Sequence, residues 1–164
     1  MSSQPPQSAG AQSAQPVFQV EKIYTKDASI ELPNAPQIFT EAAQPQVEVQ
    51  MHQESANFAE GLYEVTVKAT VTARAGEKTL FLVEAAQSGI FTVRNVAAQD
   101  VDPLLSVTCA NIVFPYLRET ISDLVTRAGF PPVLLAHVAF EALYMQRLQQ
   151  GQQQQEPGRI EVAR

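Results

Sequence analysis

From Tyr63 to Arg74 the chain alternates without a break. Tyr63, Val65, Val67, Ala69, Val71 and Ala73 fall on one parity, and Glu64, Thr66, Lys68, Thr70, Thr72 and Arg74 fall on the other. A period of two marks a strand whose faces meet different surroundings, so this segment predicts a half-buried strand of an antiparallel sheet. Before it, Val47, Val49 and Met51 alternate with Glu48, Gln50 and His52, which predicts a second strand. After a turn at Ala75-Gly76, Phe81, Val83, Phe91 and Val93 share one parity while Leu80, Leu82, Glu84 and Arg94 share the other. The start of that strand is apolar on both faces, and Gly89 within it predicts a bulge or a close backbone approach. Nearer the front, Ala28, Ile30 and Leu32 oppose Asp27, Ser29 and Glu31, though the segment as a whole alternates less cleanly. Four strands in succession with short links predict an antiparallel meander.

The period changes at Asp102-Pro103, which supplies an N-cap and a proline at the first helical position. Beyond Pro115, Leu117, Ile121, Leu124, Val125 and Ala128 recur at helical spacing opposite Arg118, Glu119, Ser122, Asp123 and Arg127, and Gly129 closes the run. Pro115 should kink this helix or divide it. The stretch FPPVLLAHV is too proline-rich for a helix and too apolar for an ordinary loop, and reads as a covered crossover to a second helix from about Ala139 to Gln149. The fold class is therefore α+β: a four-stranded antiparallel sheet followed by two helices packed on one face. Residues 1–16 and the Gln-rich residues 149–164 are expected to be disordered tails around a folded unit over 17–148.

Composition sharpens this. The 164 residues suit one domain, and 45% are apolar against 17% charged, which leaves apolar surface for other subunits or for partners. A net charge of −6 argues against nucleic acid or an anionic membrane and favours a basic protein partner. No apolar run reaches the ~18–20 residues of a membrane helix, and the N-terminal residues lack the pattern of a leader, so a cytoplasmic protein without membrane insertion is expected. Cys109 sits among apolar neighbours and reads as a packed core thiol. His52 and His137 have no second ligand at a metal spacing, and there is no phosphate loop or nucleophile elbow, so no metal, cofactor or enzymatic activity is expected.

Two groups of residues invite a functional reading beside a structural one. Asp27, Ser29 and Glu31 share one strand parity, which sets the two carboxylates about 13 Å apart on one face; Leu82 and Glu84 share a parity on the last strand. These are either an ordinary solvated face or a docking surface for a cationic partner. Phe39, Phe130, Phe140, Leu143 and Tyr144 either seal the core edge or line a groove for extended peptides, and Met145 beside them suits an adaptable surface.

The strings IYTKDASIELPNAP, YEVTVKATVTA, GIFTV, CANIVFPYLRE and FEALYMQRLQQ, in this order and at these spacings, resemble the SecB family of bacterial export chaperones across nearly the whole folded region. The resemblance implies an ATP-independent chaperone that binds unfolded precursor proteins and delivers them to the translocation ATPase SecA. It implies a homotetramer, a dimer of dimers, with the long helices between the sheets. It further implies that the outward sheet face binds the zinc-containing C-terminal segment of SecA through positions that match Asp27, Glu31, Leu82 and Glu84. Clients would lie in apolar grooves involving Phe39, Val47, Val49, Met51, Phe81, Phe140 and Tyr144. One departure is Ala43, where many members carry tryptophan, and it bears on groove depth. Two other readings stand beside this one: a SecB-like chaperone of a toxin–antitoxin system, and an acyl-binding enzyme of the hot-dog type.

Overall fold

The computed structural model describes residues 14–42 and 44–153, so Ala43 and most of both expected tails lie outside the described residues. Strands β1 (Val17–Glu31), β2 (Gln46–Ala59), β3 (Leu62–Ala75) and β4 (Lys78–Arg94) form one antiparallel sheet. The apolar parity of β3 is buried as its alternation requires, with Val65, Val67, Ala69, Val71 and Ala73 all 0% exposed, while Tyr63 is half-buried and Thr66 on the other parity is buried too. Short turns join β2 to β3 and β3 to β4, as the turn residues require.

The strand order is β1-β4-β3-β2, which corrects the meander expectation. The connection over residues 32–45 carries the chain past the end of the sheet, so β1 pairs with β4 and β2 takes the far edge. A link of that length does not tie neighbours as a two-residue hairpin does. The apolar start of β4 on both parities has a local cause: a register shift at Ala73/Arg74 leaves Leu80 unpaired, and it joins Phe81 in the core while Leu82 lies on the other face. Gly89 is a close approach and not a bulge. Pairing runs through it on both sides, and a Cβ there would stand 2.6 Å from the Phe91 ring.

The helical run starts at Ala98, earlier than the expected cap at Asp102-Pro103. It comprises α1 (Ala98–Pro103), a π-helical turn over Leu104–Cys109, and α2 (Ala110–Arg127). Pro103 sits at the end of α1, where its missing N–H removes an i to i−4 bond, and the wider π turn follows directly. Pro115 lies inside α2 without dividing it. Val113, Leu117, Ile121 and Val125 are 0% exposed and recur every four residues, so a single stripe of α2 lies on the sheet. Gly129, at φ +91°, ends the run. The irregular crossover buries Leu135 and leaves Leu134 outside. Helix α3 (Phe140–Gln153) continues past Gln149 and docks beside the π turn. Phe140 meets Phe114 edge to face at 5.7 Å, Arg147 donates to Ser106 Oγ at 2.8 Å, and from the other side Gln53 of β2 donates to the Ser106 carbonyl at 3.1 Å. Cys109 is fully buried, and burial pushes its thiol up to about 12.

Candidate partner-binding faces

In an antiparallel pair, residues directly opposite share a face and lie about 4.5–5.5 Å apart. Glu31 opposes Leu82, Ser29 opposes Glu84 and Asp27 opposes Ala86, and β3 continues these rows with Thr72, Thr70 and Lys68. The four residues Asp27, Glu31, Leu82 and Glu84 thus stand together on the side of the sheet away from the helices. The three carboxylates are exposed and Leu82 is half-buried among them. Thr70 donates to Glu84 at 3.2 Å, and none of the three carboxylates takes part in a salt bridge among the described residues. Such a patch offers unpaired negative charge around one small apolar contact.

The same face holds a group that the sequence analysis missed. The Tyr24 hydroxyl donates to Glu64, and Lys26 Nζ donates to both Glu64 carboxylate oxygens at 3.0 Å. Glu64 is on β3, so it reaches across β4 to two residues of β1. Tyr24, and after it the Lys26 ammonium, hold the Glu64 carboxyl below its ordinary value, and that carboxylate pushes the Tyr24 hydroxyl up. Beneath them Thr66 and Ser88 share a buried hydrogen bond of 2.7 Å. The spacing of Ile23 and Ile30, which cannot share a face of an unbroken strand, signals an extra residue in β1 but not the reach of Glu64 across the sheet.

On the helix side, Val47, Val49 and Met51 oppose Ala73, Val71 and Ala69 and so face the same way as the core. Yet they are 47%, 43% and 37% exposed, because α2 lies over β4, β3 and β1 and leaves β2 uncovered. At one end of this strip, Met51 joins Leu143, Tyr144 and Arg147 around an open cavity of about 280 Å³. At the other, exposed Phe39 packs on Phe130 at 5.3 Å, and Phe130 packs on Phe81 at 5.0 Å. Phe81 opposes Ala73, which opposes Val47, so the aromatic cluster borders the β2 strip. Phe81 and Phe140 are themselves core residues, 3% and 2% exposed, and sit beneath the surface that Phe39, Val47, Val49, Met51 and Tyr144 present. His52 and His137 are both exposed, and no group of three or more His, Cys, Asp or Glu suited to a metal occurs among the described residues.

The family described as preprotein translocase subunit SecB matches residues 11–151. The chain is 57% identical to a protein-export protein SecB of Methylobacillus flagellatus over 142 residues, covering 87% of this chain and 90% of that one. It is likewise 57% identical to a protein-export protein SecB of Chromobacterium violaceum over 136 residues, covering 83% and 91%. Among solved structures, a Mycobacterium tuberculosis SecB-like chaperone in complex with a peptide from an antitoxin shares the fold, with a TM-score of 0.62, 13% identity, and coverage of 74% of this chain and 91% of that one.

Proposed function

The chain belongs to the SecB family, and we propose that its two sheet faces divide the work of an export chaperone between client and ATPase. It is a cytoplasmic, non-enzymatic chaperone of protein export that holds unfolded precursors and delivers them to SecA. The observation that carries the division is the contrast between an apolar strip left uncovered on the helix side of β2 and, on the opposite side of β1 and β4, a set of carboxylates that join no salt bridge among the described residues.

Clients bind along Phe39, Val47, Val49, Met51 and Tyr144, with Phe81 and Phe140 as the floor. Apolar contacts of this kind read hydrophobicity and little else, as suits many unrelated unfolded segments, and Met51 adapts its shape to them. Capture of clients needs neither nucleotide nor metal. SecA binds the outer face, where Asp27, Glu31 and Glu84 act together on a cationic segment and Leu82 adds a desolvated contact. Assembly into a dimer of dimers is supported by further open apolar surface at the edge strand β1, where Val17, Phe18 and Val20 are 39–40% exposed. The 57% identity to proteins of export, against 13% to the chaperone seen with an antitoxin peptide, favours export over the toxin–antitoxin reading.

The test is to mix the purified chain with an unfolded precursor, and separately with SecA, while measuring mass in solution. The expected result is a tetramer that captures precursor without nucleotide and in the presence of chelator, and that binds SecA independently. A monomer at micromolar concentration, or capture that needs nucleotide or metal, would refute it.

A further inference from the structure

Strand β1 contains an irregularity that bears directly on the docking face. Ile23 opposes Gly89 and Ile30 opposes Val83, so the same interval spans seven steps on β1 but six on β4. Both isoleucines are half-buried against the core. Their burial demands one extra residue between them, a β-bulge. It does not say where. None of residues 25–29 is a large apolar side chain that would choose the place.

The register shift falls between Thr25 and Asp27, which makes Lys26 the extra residue. Inward, Thr25 donates to Gln87 at 3.1 Å, and Gln87 also accepts from Thr120 of α2, so the extra residue comes after Thr25. Outward, Glu64 holds Tyr24 and Lys26 together, the residues just before and at the bulge. The Glu64 side chain is 20% exposed and that of Lys26 44%.

The place of the extra residue decides the direction of Asp27. With Lys26 as the bulge, Asp27, Ser29 and Glu31 all face outward. Were Ala28 the bulge instead, Ile23 and Ile30 would keep their places, Ser29 and Glu31 would still face outward, and Asp27 would turn toward the core side. We propose that Glu64 is a positioning residue for the docking face, fixing the bulge at Lys26 and so keeping Asp27 beside Glu84 and Glu31. This rests on the reading of that face as the SecA surface.

The experiment uses the full chain and two readouts. The first is the rate at which a charged maleimide modifies a thiol introduced by Asp27→Cys, with Ser29→Cys as the internal reference. Cys109 is 0% exposed and stays silent. Replacing Glu64→Ala should slow modification at position 27 several-fold and leave position 29 unchanged. Equal rates at position 27 with and without Glu64 would overturn the proposal, and so would equal slowing at both positions, which is general loss of β1. The second readout is SecA affinity at low salt for Asp27→Asn, Glu64→Ala and the pair. Each single change should weaken binding roughly two- to five-fold, the scale of one exposed ion pair, and the pair should be no weaker than either alone. Additive losses would mean that Glu64 acts by its own charge, against the proposal. If Asp27→Asn leaves SecA affinity unchanged while thiol protection appears as expected, the docking-face reading fails and the bulge assignment stands. Should Glu64→Ala fail to fold, Tyr24→Phe with Lys26→Met removes the same two anchors and must give the same pattern.

Discussion

Val71 and Val49 are directly opposite each other on neighbouring strands, on the same face of the sheet, in segments with the same alternation. One is 0% exposed and the other 43%. The difference is made by α2, which lies along β3 and β4 and stops short of β2. A period of two reports only that a strand has an apolar face; whether anything covers that face is settled by an element far away in the chain. In β3 the covered face is core. In β2 the uncovered face is the surface proposed for clients.

The sharpest way to break this comparison is to make the same change on both sides of the pair. Val71→Ala should cost about 2–3 kcal/mol, from about 0.8 kcal/mol per buried CH₂ plus the cavity left behind. Val49→Ala should stay within about 0.5 kcal/mol of the parent. Urea denaturation of the two variants decides it, and equal losses would mean that β2 is covered after all. Next in size is Gly89→Ala on the covered face. The new Cβ would meet the fully buried Phe91 ring at 2.6 Å, and overpacking of this kind costs about 1–3 kcal/mol, read as a lowered thermal midpoint.

On the uncovered face, replacing Val47, Val49 and Met51 together by serine should weaken capture of an unfolded precursor by about 1 kcal/mol or more per residue, with SecA affinity retained. Competition binding with a labelled precursor measures this; unchanged capture would remove β2 from the client surface. A smaller effect is expected on the far side of the sheet. Glu31→Gln with Glu84→Gln should weaken SecA binding by roughly 0.2–1 kcal/mol per carboxylate, more at low salt than at high, while precursor capture and the tetramer persist.

The smallest effect is in acid. Because Glu64 is held below its ordinary 4.5 in the folded chain, its contribution to β1 is complete above that value and is lost as pH falls through the depressed one. Amide exchange across residues 24–31 should therefore rise at the acid end before the α2 core opens, and Glu64→Gln should abolish that acid-dependent step.

Much of the fold was legible because its signals are local. Alternation in β3, the four-residue spacing of Val113, Leu117, Ile121 and Val125, and the proline-rich crossover each follow from how one residue's backbone places its own side chain. The same rule put Asp27 with Glu31, and Leu82 with Glu84, on shared parities, and the strings around them carried the family. What the sequence did not show is what depends on neighbours distant in the chain. Alternation names a face but not the strand beside it, so the order β1-β4-β3-β2 appeared only with the sheet. The π turn at Leu104–Cys109 is held between Gln53 and Arg147, and neither is near it in sequence. The bulge was implied by Ile23 and Ile30, yet its place at Lys26 is marked by a carboxylate 38 residues away. Burial fixes how many residues a strand must accommodate, while the position of the extra one, and the coverage of each face, are set by contacts that exist only once the sheet has formed.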